Sequence, residues 1–188
     1  MPRLIFLGAP GAGKGTQAQT LALHWHIPHI STGDILRGAM KERSPLGVKA
    51  QSYVDRGELV PDQLLLDIME ERLSQPDAQS GWILDGFPRN LNQAVFLDQL
   101  LQKLEQNSTR VVNLEVPDSV VVQRLLARAE KEGRTDDTEE VISRRLEVYR
   151  QETEPLINFY RDRQQLVSVN GDRSLEQVTS ELQNLLAA

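Results

Sequence analysis

Short apolar runs alternate along this chain with longer stretches in which apolar residues recur at helical spacing. Leu4–Leu7 is an apolar run ending at Gly8 and reads as a buried parallel strand. A helical pattern from Lys14 to Trp25 follows, then a weak second strand at His29–Ile30, ended by Ser31–Thr32–Gly33. Trp82–Leu84, bounded by Gly81 and Asp85–Gly86, is the third strand; Val111–Val116, stopped by Pro117, is the fourth; Leu166–Val169, stopped by Asn170–Gly171, is the fifth. Ser44–Pro45 starts one helix and Pro61–Asp62 opens another that runs to Leu73. Leu91–Leu104 and Val120–Ala129 carry the helical repeat, and Ser174 with Gln177 forms a capping box for the last helix. The segment from Thr138 to Arg163 is helical with a break expected at Glu154–Pro155. Strands alternating with helices give an α/β fold, a parallel sheet with helices on both faces. Two stretches fall outside that core: a helical excursion over residues 31–60, and the polar run Glu130–Asp137 around Gly133. Both read as mobile flaps.

The length of 188 residues fits a single domain spanning 1–188. At 39% hydrophobic and 26% charged residues, the composition is that of a soluble globular protein. No apolar run approaches the ~18 residues of a membrane helix, and Met1–Leu7 is too short for a signal peptide. The absence of cysteine excludes disulfides, thiol catalysis and thiolate metal sites, and points to the cytoplasm. A net charge of −6 argues against nucleic acid as a partner. The 21 basic residues are, however, 16 Arg and 5 Lys, a bias toward the side chain whose planar fork matches phosphate.

Gly8-Ala9-Pro10-Gly11-Ala12-Gly13-Lys14-Gly15-Thr16 follows the first strand and opens a helix. Glycines let the backbone wrap phosphate oxygens, with successive N–H groups and the helix dipole facing the anion, and Lys14 reaches the β/γ-phosphates. The usual pattern puts Ser or Thr directly after the lysine; here Gly15 intervenes and Thr16 follows.

Together with Ser31-Thr32-Gly33-Asp34, Asp85-Gly86-Phe87-Pro88-Arg89 and the pair Arg124/Arg128, this loop resembles the adenylate kinases, within the nucleoside monophosphate kinases. The match is collinear from Leu4 to Gly171. The resemblance implies a P-loop kinase core of five parallel strands in order 2-3-1-4-5, a helical monophosphate-binding flap at 31–60 and a short lid at 129–135. It implies reversible transfer of the terminal phosphoryl group from Mg·ATP to AMP, giving two ADP, with Mg²⁺ required; nothing in the sequence suggests more than a monomer. Gly11, Ala12, Gly13, Lys14, Gly15 and Thr16 match the residues that hold the ATP phosphates, with Arg124 and Arg128 as ATP-side arginines and Arg173 near the adenine. Thr32, Arg37, Glu58, Leu59, Val60, Gly86, Phe87, Pro88, Arg89 and Gln93 match the AMP site, Gln93 facing the base. Arg134 and Arg145 match arginines that close over the AMP and the migrating group, so that Lys14, Arg89, Arg128, Arg134 and Arg145 form the catalytic set. Only Ala129–Gly133 separate Arg128 from Arg134, and no cysteine is present, so a structural zinc in the lid is not expected.

Asp85 ends the third strand, where α/β sheets place ligand-facing groups, and is expected to orient Mg²⁺ through water. Asp34 reads as a cap of the second helix that positions Thr32, and Arg144, about 100° around the helix from Arg145, as solvated. His24, His26 and His29 read as surface histidines, and Asp136, Asp137, Glu139 and Glu140 as negative charge at a helix N-terminus pairing with lid arginines. UMP/CMP kinases resemble the same pattern with Ala in place of Thr32 and Asn in place of Gln93, which favours AMP here, although Asn90 extends the Asp85–Arg89 run in their manner. A catalytically silent nucleotide-binding module is the remaining alternative, disfavoured by the full set of arginines. A GTPase would need a base-reading NKxD run and a DxxG switch, and neither occurs.

Overall fold

A computed structural model of the chain describes residues 1–106, 109–134 and 137–186. Its five strands form one parallel sheet: β1 (Arg3–Leu7), β2 (His29–Ser31), β3 (Trp82–Asp85), β4 (Arg110–Glu115) and β5 (Leu166–Asn170), in order β2-β3-β1-β4-β5. Ile5 lies between Leu84 and Val111, which puts β1 at the centre. Leu4, Ile5, Phe6 and Leu7 are buried because helices cover both faces, and a strand with no solvated face has no use for polar alternation. Ile5, Leu7, Leu84 and Val111 join one core cluster with Trp82, Phe87 and Tyr160; Leu4, Phe6, Ile83 and Val112 join the other.

The helices are α1 (Lys14–Trp25), α2 (Thr32–Lys41), α3 (Pro45–Asp55), α4 (Asp62–Leu73), α5 (Leu91–Lys103), α6 (Asp118–Glu132), α7 (Glu139–Val148), α8 (Pro155–Arg161) and α9 (Leu175–Leu186). Side-chain caps start several of them: Ser44 accepts from Gly47 N–H, Asn90 from Gln93 N–H, and Ser174 and Gln177 exchange the reciprocal bonds of a capping box. At the start of α2 the cap is Ser31, which accepts from Asp34 N–H. The expectation that Asp34 caps this helix is therefore corrected: its carboxylate holds Arg37 instead, at 2.5 Å.

The expected break near Pro155 is present but begins a turn earlier. After Val148 the chain forms a π turn over Tyr149–Thr153, in which Glu154 N–H donates to Tyr149 O five residues back, and Pro155 then opens α8. Proline has no N–H and its ring would press on the carbonyl four residues before it, so the widened turn is the adjustment that lets a helix resume at Pro155. Because every strand runs the same way, Gly8, Ser31 and Asp85 all emerge at one edge of the sheet. The 31–60 stretch starts there, at the end of β2, and carries α2 and α3.

Candidate active site

Two adjoining cavities open at the carboxyl ends of β1, β2 and β3. The first lies between the core and the 31–60 segment. It is lined by Thr32, Arg37, Glu58, Leu59, Val60, Gly86, Pro88 and Arg89, with Leu36, Met40, Val54, Leu65 and Val148 as apolar walls. The second, about 630 Å³, follows the glycine loop. It is lined by Gly11, Ala12, Gly13, Gly15, Thr16, Asp85, Arg124, Arg128, Arg134 and Arg173, with Leu125, Leu175 and Val178 apolar. Four cations, Lys14, Arg37, Arg89 and Arg145, line both cavities.

Local structure explains the loop. Gly13 precedes α1 with φ of 98°, a left-handed conformation, and a Cβ there would meet nothing within 4 Å. The N–H groups of the first turn of α1 have no partner within the helix, and the helix dipole adds partial positive charge. Lys14 Nζ donates to Gly8 O (2.9 Å) and Ala9 O (3.1 Å). Burial pushes its ammonium down to about 8, against the pull of Asp85 and with the repulsion of Arg89, Arg145 and Arg128.

Arg89 is fixed from several sides. Its N–H donates to Gln93 Oε1 (2.7 Å), its Nε donates to Gly86 O (2.8 Å), and its carbonyl accepts from Thr153 Oγ1 (2.6 Å). Thr32 Oγ1 donates to the same Gly86 carbonyl, 2.9 Å. Arg128 makes a two-pronged bond to Asp137, Nε and one terminal nitrogen each at 2.6 Å, and Arg145 donates to the same carboxylate at 2.7 Å. The Asp137 side chain is fully buried, and the arginines it pairs with lie on α6 and α7 and not, as the sequence suggested, within the 129–135 stretch; Asp136 lies outside the described residues, as does Thr135 of that stretch. Arg124 donates to Gly171 O at 3.1 Å, Arg134 to Glu132 and Arg173 to Glu181.

A family model described as adenylate kinase matches residues 6–165. The chain is 68% identical over 188 residues to "Adenylate kinase 1" of Nostoc sp., covering all of both chains. It is 57% identical to "Adenylate kinase" of Synechococcus sp., covering 99% of this chain and 96% of the relative. It is 50% identical to "Adenylate kinase" of Leptospira biflexa, covering 96% and 97%.

The chain belongs to the adenylate kinase family.

Within this adenylate kinase fold, four side chains do not sit as the sequence suggested. Gln93 does not line either cavity: it is fully buried, its oxygen taken by Arg89 N–H and its nitrogen donating to Asp62 Oδ1 at 2.7 Å. Its side chain thus links the main chain of Arg89 to Asp62. The Phe87 ring turns into the core at 1% exposure, leaving Gly86, Pro88 and Arg89 at the cavity. His29 is not a surface residue; its Nε2 stands 3.5 Å from Asp85 Oδ2, while His24 and His26 are exposed as expected. Arg144 is not solvated alone: its Nε donates to Glu58 Oε1 at 2.6 Å. The apolar walls of both cavities carried no motif, and only the fold collects them.

The Asp85 carboxyl suits a hydrated divalent cation. Burial would raise it, but His29, Lys14 and Arg89 outweigh that and hold it below the usual aspartate range. A Cβ on Gly15 would lie 3.3 Å from Asp85 Oδ2, which sets the carboxylate against the first turn of α1, where Thr16 supplies a hydroxyl. Among the described residues no three His, Cys, Asp or Glu gather as a metal cage. One carboxylate and a hydroxyl beside a phosphate loop are a donor set for Mg²⁺, which keeps waters and takes phosphate oxygens. No helix among the described residues is long and apolar enough to cross a membrane.

The depressed Lys14 gives a pH prediction. A bound polyphosphate favours the ammonium that burial disfavours, so ATP binding near pH 8 should take up about half a proton. Affinity should then fall as pH rises from about 8 toward 10. Calorimetry in two buffers of different ionisation enthalpy reads this uptake directly. An uptake that persists in Lys14→Met would assign it to another group.

Proposed function

We propose that the second cavity holds Mg·ATP and the first holds AMP, and that the cations common to both surround the phosphoryl group moving between them. The observation that carries this reading is the sharing itself: Lys14, Arg37, Arg89 and Arg145 line both cavities, and each cavity also offers apolar side chains against which a base can lie. Two nucleotides bound that way meet phosphate to phosphate.

In the reaction the bond from the γ-phosphorus to the bridging oxygen of ATP breaks, and a bond to an AMP phosphate oxygen forms. The acceptor oxygen is already ionised, so no general base is required. The residues therefore act by position and charge. Lys14 takes the β/γ-phosphates, Arg89 and Arg37 the acceptor phosphate, and Arg128, Arg134 and Arg145 the charge that spreads over the transferring group. Asp85, through water, and Thr16 are the residues that would hold Mg²⁺, which would supply positive charge against the phosphates of ATP. The 31–60 segment serves as the monophosphate flap and 129–135 as a short lid; closing them excludes the water that would otherwise hydrolyse ATP. Thr32 beside the Glu58–Val60 wall supports adenine as the acceptor base.

The test is diphosphate formation from Mg·ATP with AMP, CMP, UMP and GMP in turn. Turnover with AMP far above the others is expected. Thr32→Ala should raise CMP or UMP turnover relative to AMP. Preference of the wild type for CMP or UMP would overturn the acceptor assignment while keeping the cationic cage, and transfer to none of the four would favour a silent nucleotide-binding module.

A further inference from the structure

The outgoing arm of the 31–60 segment is docked on α7 at two consecutive residues. Gly57, with φ of +72°, comes so close that a Cβ there would lie 2.8 Å from Arg145 Cγ and 2.9 Å from Val141 O. The next residue, Glu58, accepts from Arg144 Nε at 2.6 Å, across 86 positions of sequence. This N–H holds the Glu58 carboxyl below its usual range. Arg144 is also tethered along its own helix, donating to Glu147 at 2.8 Å, which restricts the guanidinium before it meets Glu58. Arg144 lines neither cavity, whereas Glu58, Leu59 and Val60 line the first. The adjacent Arg145 passes Gly57 with its stem and binds Asp137 with its guanidinium. Helix α7 thus ties the flap through one arginine and the lid-side cluster through the next.

We infer that Arg144 is a positioning residue for the acceptor nucleotide: by holding Glu58 against α7 it fixes the Glu58–Val60 wall of the acceptor cavity, without touching either nucleotide. The inference rests on the assignment of that cavity to AMP. A structural ornament would not discriminate between substrates; a latch on one wall of one cavity must.

The experiment is a double-mutant cycle read in steady-state kinetics, with KM for AMP and for ATP measured separately in wild type, Arg144→Gln, Glu58→Gln and the double variant. The pair is partly exposed, so Arg144→Gln should raise KM for AMP about two- to fivefold. KM for ATP should stay at the wild-type value. The double variant should be no worse than the worse single one, and Arg144→Lys should recover part of the loss. An unchanged KM for AMP in Arg144→Gln, an equal rise in both KM values, or losses that multiply in the double variant would each overturn the inference. Should the wild type prefer another monophosphate, the acceptor assignment fails on its own, and the latch is judged by the KM of that nucleotide.

Discussion

Arg89→Ala should lower the rate of phosphoryl transfer about a thousandfold, roughly 4 kcal/mol of transition-state stabilisation, while ATP binding stays within about twofold. The asymmetry follows from where Arg89 sits. It lines both cavities, and its main chain is held by Gln93 and Thr153 and its Nε by Gly86 O, so the guanidinium is aimed before any substrate arrives. A cation placed in advance loses little in reorganisation when charge develops, which is the condition under which one donor contributes several kcal/mol. In the proposed arrangement the glycine loop and Lys14 remain to hold ATP. Arg89→Lys should rescue little, because a single ammonium cannot reproduce the planar fork. Rapid-quench measurement of single-turnover transfer beside equilibrium ATP titration checks both halves. A loss of ATP affinity as large as the loss of rate would place Arg89 in donor binding instead.

Trp82→Ala should cost about 4–5 kcal/mol of stability and lower the melting temperature by roughly 10–15 °C. Trp82 is fully buried in the first core cluster, and its Nε1 donates to Gln106 Oε1 at 2.8 Å. Truncation leaves a ring-sized hole and an amide oxygen at 1% exposure without its donor. Trp82 begins the strand that ends in Asp85, yet it touches neither cavity. Below the transition, kcat and KM should stay within about twofold of wild type. Circular dichroism melts with kinetics at low temperature separate scaffold from site. A melting shift under about 4 °C would show that the site collapses to fill the hole.

What the sequence disclosed and what it withheld divide along one physical line. The sheet was readable because buried parallel strands are compact apolar runs, and even three-residue β2 was announced by the Ser31–Asp34 motif behind it. Cap chemistry at Ser44 and Ser174 is local and placed its helices correctly. The arginines that line the cavities were legible for a different reason, a family resemblance carried by adjacent residues. Contacts between distant segments were not legible. Helical spacing turned Arg144 away from Arg145, which was sound, but nothing in spacing says that Glu58 waits there. Likewise His29 reads as one of three scattered histidines until the pairing of β2 with β3, Ser31 opposite Asp85, brings it beside a carboxylate. Gln93 illustrates the reverse: a motif position whose side chain the fold engages with Asp62 and the main chain of Arg89.

The buried Asp137 carboxylate has a consequence for life in a salty solution. Arg128 and Arg145 already share an anion that belongs to the protein. A chloride or a lone inorganic phosphate arriving from solution must therefore compete with a resident ion that loses no translational freedom by staying. A nucleotide escapes that contest, because its base and sugar bring binding energy from elsewhere and its linked phosphates engage several cations at once. Carrying its own competitor should make these two arginines less responsive to simple anions than to polyphosphates.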